Sequence, residues 1–358
     1  MNKLVEFLII VVAALCLNLI LIPLLLSLSH RFRWYDDIDH RKIHKGDIPR
    51  IGGIGLFLSF IIVSLAVFAL SLIIPLNHTI LPVVNLIPFL IGIFLIHLLG
   101  LLDDFSNLRA RFKLVVQITA AALTAIGGFR LKDVLLPFSS ITISLGPFSY
   151  IVTIFWIIGM CNAVNLIDGL DGLAGGISAI AAFFFGAVSL IQGDITAAIF
   201  SFALFGSLAG FLAYNFPPAK LFMGDSGSLF LGFVIASLPL MKTNGESKSN
   251  SLIFIITLMM IPVLDTLAAI VRRIKRKIPI HNPDREHIHH KLLHIGFSNR
   301  KILAVIYSIC FFLGIISVIW KLTSEKHFFL MIIGAWLLGV VFLVIVNHIA
   351  KKHFSLDL

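Results

Sequence analysis

The sequence specifies an all-α, polytopic integral membrane protein. Of its 358 residues 59% are hydrophobic and 13% charged, against roughly 25% charged in soluble domains. Apolar runs of about 20 residues, the length of a membrane helix, recur from end to end. Basic residues collect on alternate loops, as the positive-inside rule requires. A core of this size cannot hide so much apolar surface, so the excess faces lipid. The same balance excludes a disordered chain, a fibrous protein and a soluble enzyme with one anchor. Cys16, Cys161 and Cys310 lie far apart with no C-x-x-C pair, which argues against a disulfide framework or a zinc ribbon.

Eleven spans are expected, at residues 5–28, 51–74, 86–102, 114–129, 148–161, 173–191, 195–214, 229–241, 251–271, 302–320 and 328–349. The first is too long for a signal-peptide core and lacks a small-residue cleavage site, and Leu15 before Cys16 spoils a lipoprotein cleavage box. It reads as a retained span. Eleven crossings put the termini on opposite sides. The loops at 29–50, 103–113, 215–228 and 272–301, with the C-terminus, hold 21 of the 28 Lys and Arg residues. These loops, the 161–172 loop and the C-terminus are therefore expected in the cytoplasm, and the N-terminus outside. On the outer side, 131–149 alternates like a strand and is expected to form a small hairpin. Thirteen of the 18 Asp and Glu residues share the cytoplasmic side. Acids contribute little to topology, so their gathering points to chemistry.

Five clusters carry that chemistry. Asp103 and Asp104 end the third span, where the helix dipole disfavours acids; their mutual repulsion raises one pKa unless a cation sits beside them. Asn162, Asn165, Asp168 and Asp171 recur every three residues after the fifth span. On a regular α-helix this spacing drifts by about 60° per step, so alignment needs a 3₁₀ or broken segment, which Gly169 and Gly172 favour. Such a row of oxygens suits sugar hydroxyls, a nucleoside or Mg²⁺. The third cluster, Gly224-Asp225-Ser226-Gly227-Ser228, opens the eighth span; free N–H groups there would make an anion site, and Asp225 would hold a hard cation. An ordinary N-cap is the plainer account of the same residues.

The fourth cluster, His281-Asn-Pro-Asp284-Arg285-Glu286-His287-Ile288-His289-His290, follows the basic run 272–277, which reads as a topological anchor. No cysteine is near, and the dense Asp set favours Mg²⁺ over zinc. Arg285, His287, His289 and His290 are expected to contact phosphate and nucleotide. The fifth, residues 41–53, contains Lys45 and Arg50 ahead of a Gly pair, and binds phosphate or sets topology. Asp265 lies about 10 Å inside the ninth span, a costly place unless it faces a polar cavity.

In this order the clusters resemble the polyprenyl-phosphate N-acetylhexosamine-1-phosphate transferases, glycosyltransferase family 4. The resemblance runs from Arg41 to His290. HNPDREHIHH looks like the undecaprenyl-phosphate GlcNAc-1-phosphate transferase branch, because Ile288 interrupts the histidine triplet of the peptidoglycan branch. The resemblance implies one membrane-embedded transferase domain over 1–358, an Mg²⁺-dependent enzyme (Mn²⁺ as an alternative) of the bacterial cytoplasmic membrane, active at its cytoplasmic face. It would move GlcNAc-1-phosphate from UDP-GlcNAc to undecaprenyl phosphate, releasing UMP and starting a cell-envelope polysaccharide such as O-antigen, common antigen or a teichoic-acid linkage. Alternatives are another UDP-N-acetylhexosamine or UDP-MurNAc-pentapeptide as donor.

The resemblance also implies residue roles. Asp103 and Asp104 orient or deprotonate the lipid phosphate, with Asp103 serving as base, orienter or second metal contact. Asn165 and Asp225 surround Mg²⁺. Asp168 and Asp171 lie at the catalytic centre. Lys45, Arg50, Asn162, Arg285, His287, His289 and His290 bind substrate. The expected partners are the UDP-sugar, the polyprenyl phosphate, the bilayer and a second copy of the chain in a homodimer; nucleic acid is not among them. A transporter is the rival class, since membrane Asp residues and broken helices also build ion paths. Its polar residues would sit near the midplane and its halves would repeat, whereas here they gather at one face without a repeat.

Overall fold

A computed structural model of the chain describes residues 3–32, 34, 48–73, 81, 83–135, 142–241, 248–279, 286–323 and 326–354. The described residues are nearly all helical: α1 (Lys3–Phe32), α2 (Gly52–Ile73), α3 (Val83–Ser106), α4 (Ala110–Ile126), α5 (Phe148–Ile167), α6 (Leu173–Ile191), α7 (Ile195–Asn215), α8 (Gly224–Ser237), α9 (Lys248–Leu258), α10 (Met260–Lys275), α11 (Ile288–His294), α12 (Asn299–Thr323) and α13 (Lys326–Phe354). The exception is an antiparallel hairpin of β1 (Asp133–Leu135) and β2 (Thr142–Ser144), with Val134 opposite Ile143. It lies where the alternating 131–149 segment predicted one.

All eleven expected spans coincide with helices, but not all are long enough to cross a membrane by length and composition. Among the described residues eight are: α1, α2, α3, α5, α6, α7, α12 and α13. α4 has 17 residues. α8 and the 3₁₀ turn after it run from Gly224 to Leu240, about 25 Å at helical rise. The expected ninth span is broken into α9 and α10 with a bend of 79°. Pro262 explains the break: it has no N–H to offer the Leu258 carbonyl, and its ring clashes with that carbonyl.

α8 lies at the centre. Every residue from Ser226 to Ser237 is buried, as expected for a helix that is apolar all round. α2, α3 and α5 flank it, and small residues set their approach. A Cβ on Gly53 would strike Gly227, one on Gly100 the Ser226 backbone, and one on Gly232 the backbone of Met160 and Cys161. α6 and α7 form a second inner layer, while α1 and α13 present Leu8, Leu337 and Leu338 outward.

One face of the bundle gathers the helix ends that carry the clusters. Trp34, just past α1, meets Phe105 at the end of α3 with ring centroids 5.7 Å apart. Residues 49–53 pair with 222–223: the Phe222 N–H donates to the Pro49 carbonyl, and Gly52 and Gly53 donate to Phe222 and Met223. The turn between α5 and α6 is pinned to the end of α7, where Asn215 Oδ1 accepts from the Gly172 N–H. α12 closes the same face, with Tyr307 donating to the Gly172 carbonyl at 2.6 Å.

Gly232→Leu should therefore lower stability by about 1–3 kcal/mol or more, since backbone opposes the new side chain. Gly159→Ala, where a Cβ meets nothing within 4 Å, should be neutral or stabilise by up to about 1 kcal/mol. Thermal unfolding of both variants in detergent measures the contrast.

Candidate active site

The site is assembled from three helix ends. α3 ends with Asp103 and Asp104, α5 ends with Asn162, Asn165 and Asp168, and α8 begins with Asp225. A turn over Asn107–Arg109 folds α4 back along α3. Asn107 takes a left-handed conformation there (φ 49°), which asparagine tolerates. Asp103 braces the turn by accepting the Leu108 N–H at 2.7 Å. Lys113, one turn into α4, thereby returns to Asp103, which it meets at 2.6 Å, and stands 3.6 Å from Asp225. Asp103 and Asp225 are themselves within hydrogen-bonding reach. Lys113 is the cation that two adjacent carboxylates call for, and sequence reasoning placed it only in the topological count.

Asp104 does something the sequence did not suggest. Its Oδ1 accepts the Asp225 N–H at 2.7 Å and its Oδ2 the Ser226 N–H at 3.0 Å. The N–H groups of α8 expected to face a substrate anion are thus already taken by a carboxylate of α3. Gly224 makes this contact sterically feasible: it adopts φ +72°, and a Cβ there would strike the Asp104 carboxylate and the Arg50 carbonyl. An acid at a helix N-terminus is also favoured by the dipole.

The Asn-x-x-Asn-x-x-Asp-x-x-Asp row does not line up. α5 stays α-helical to Ile167, well past the span end expected at Cys161, so the four side chains diverge as a regular helix and turn require. Asn162 donates to Gln117 of α4 at 3.1 Å and to the Ile158 carbonyl. Asn165 reaches the centre, donating to Asp225 at 3.1 Å and to Ser228 at 2.9 Å. Asp168 caps α5. Asp171 turns toward the α7–α8 loop and accepts the Ala219 N–H at 3.1 Å.

Asp168 is partly buried and accepts no hydrogen bond among the described residues. Burial first, and then the charge of Asp225, push its carboxyl well above the usual carboxylate range; Asp104 and Asp171 add to this and Arg50 opposes it. Arg50 is therefore near enough to the centre for its charge to act on Asp168. Lys45 and Arg285 lie outside the described residues.

The histidine cluster reaches the same face. His289 is buried with neither ring nitrogen hydrogen-bonded, and its ring packs on Gly169, beside Asp168. Burial, then His290 and His287, lower its pKa to about 3, so it is neutral. His290 lies 4.2 Å from it, and His287 stacks parallel at 6.0 Å, between ring centroids. His287 is held by Asp265, at 2.8 Å, the polar contact that makes this intramembrane acid tolerable.

Among the described residues no three His, Cys, Asp or Glu side chains form a ready-made metal cage. Mg²⁺ needs none, because it commonly uses one or two carboxylates and takes its remaining oxygens from water and substrate phosphate. All-oxygen donors at Asp225, Asn165 and Asp168, one of them without a hydrogen bond, fit such an ion.

This fold and site define a multi-pass membrane protein that collects acids and bases at one end of its helices. A family model described as glycosyl transferase family 4 matches residues 86–243. A probable undecaprenyl-phosphate N-acetylglucosaminyl 1-phosphate transferase of Bacillus subtilis is 34% identical over 320 residues, 89% of this chain and 86% of its own length. An undecaprenyl-phosphate alpha-N-acetylglucosaminyl 1-phosphate transferase of Yersinia pestis is 30% identical over 86% of this chain and 81% of its own. A decaprenyl-phosphate N-acetylglucosaminephosphotransferase of Mycobacterium leprae is 34% identical over 75% and 72%. The chain belongs to glycosyl transferase family 4, a family of glycosyl-1-phosphate transferases, in its undecaprenyl-phosphate N-acetylglucosaminyl 1-phosphate transferase branch.

Asp104→Ala should cost about 1–2 kcal/mol by uncapping α8, while Asp104→Asn, which keeps an acceptor, should retain most of that stability. Thermal unfolding in the absence of substrate distinguishes the two.

Proposed function

We propose that the chain transfers GlcNAc-1-phosphate from UDP-GlcNAc to undecaprenyl phosphate, releasing UMP and forming the first lipid-linked sugar of a cell-envelope polysaccharide. The observation that carries this reading is the convergence of Asp103, Asp104, Asn165, Asp168 and Asp225 around Lys113 and Arg50. A lipid phosphate oxygen bonds to the β-phosphorus of the donor as the bond to the bridging oxygen breaks, and UMP departs with that oxygen. Such a transfer asks the protein mainly to position two anions and neutralise their charge.

Lys113 and Arg50 supply fixed positive charge, and Asp225 and Asn165, with Asp168 beside them, would hold Mg²⁺. Bound there, such an ion would screen the phosphates from the carboxylates and from each other. Asp103, already ion-paired to Lys113, orients the acceptor phosphate. Arg50, Asn162 and the histidines meet the donor, and Asp171 fixes the loop that follows Asn215. The names of the relatives, which specify undecaprenyl or decaprenyl phosphate and N-acetylglucosamine, support this choice of acceptor and sugar.

We also propose eleven crossings, with the N-terminus outside and the site in the cytoplasm. The clustering of 21 basic residues on the site-bearing loops and the C-terminus supports this topology. A cysteine introduced after Phe354 should then react with an impermeant label only once cells are opened; labelling of intact cells would refute it.

Asp225→Ala should abolish UMP release from UDP-GlcNAc and undecaprenyl phosphate while inserting normally, and full activity of the purified variant would overturn the reading. Lys113→Met should slow transfer about 10²-fold or more, as loss of one preorganised electrostatic contact does elsewhere. EDTA should stop the wild-type reaction and excess Mg²⁺ restore it. A panel of UDP-sugars decides the donor by the ratio of kcat/KM values.

A further inference from the structure

Asp265 is buried within α10, where a carboxylate needs a reason. It has two. Its Oδ1 accepts the Ile288 N–H at 3.0 Å, and its Oδ2 lies 2.8 Å from His287 Nδ1. His287 is the residue at which α11 begins, so one carboxylate both caps that helix and grips a histidine of the cluster.

Capping alone does not account for an acid, since a neutral serine or asparagine caps as well without a charge to bury. The second contact does. A carboxylate only accepts, so Nδ1 carries the proton and the ring is held in one tautomer and one orientation. Nε2 has no partner among the described residues and is left to meet a ligand. The alignment carries on from there, because His287 lies parallel to His289, and His289 rests on Gly169 beside Asp168.

We infer that Asp265 is a positioning residue for sugar-nucleotide binding, fixing the tautomer and orientation of His287 so that Nε2 meets the donor. This rests on the reading of the histidine loop as a donor-binding element. Asp265 touches neither substrate nor the reacting atoms.

Asp265→Asn separates the two contacts. Its carbonyl can still accept the Ile288 N–H, while its NH₂ opposes Nδ1–H and favours the other tautomer. Full-length protein in detergent should show KM for UDP-GlcNAc raised on the order of ten- to a hundredfold, by analogy with the loss of an outer partner of a metal-ligating histidine. KM for undecaprenyl phosphate should stay within about twofold. In a His287→Ala background the same substitution should cause no further loss, because the effect passes through the ring.

If Asp265→Asn does not accumulate as monodisperse protein, Asp265→Ser, whose hydroxyl can accept the same amide proton, carries the comparison. An impaired His287→Ala with a normal Asp265→Asn overturns the inference alone, as does an equal loss from Asp265→Asn in both backgrounds. A normal donor KM in His287→Ala overturns the reading of the loop and the inference with it.

Discussion

The arrangement of the site depends on how α8 begins. Its first turn is packed among α2, α3 and α5, and N–H groups left unpaired in such a place are costly. Asp104 answers two of them from the end of α3. That bond fixes α3 against α8, and in doing so sets Asp103 beside Asp225 and brings Asn165 of α5 into reach. One helix cap thus joins residues more than a hundred positions apart into a single acidic centre.

The centre is electrostatically incomplete. Asp103 and Asp225 share Lys113, and Arg50 offsets Asp104 and Asp168, yet the Asp168 carboxylate accepts no hydrogen bond among the described residues. Adjacent carboxylates in a poorly solvated place favour protonation or a cation. Such preorganisation is what phosphoryl transfer calls for, because groups already in place need not reorganise when charge moves. The α9–α10 break contributes at a distance: by redirecting the chain at Pro262, it places Asp265 where the histidine loop folds back onto the α5–α6 turn.

Much of this was legible in the residues. The apolar helices followed from apolar length, the hairpin from alternation, and the Asp pair from its unfavourable place at a helix end. The errors were geometric. Asn162 through Asp171 looked like one row because local glycines suggested a break, but α5 remained helical to Ile167 and its side chains turned to different neighbours. The α8 N–H groups looked available because no sequence rule says which distant carboxylate will cap a helix. Lys113 passed as a topological charge, although a lysine ten residues after an Asp pair, across a short turn between helices, is a signal that it returns to those acids.

By itself the sequence determined that this chain lives in a membrane, that its polar chemistry lies at one face, and which family its motifs belong to. These properties follow from hydropathy, charge and residue order, which are written along the chain. Only the tertiary structure decided which oxygens meet which cations, that Asp104 caps α8, and that Asp265 holds His287. Each of those contacts joins separate helices, and the packing angle and depth of a helix come from its neighbours rather than from its own residues.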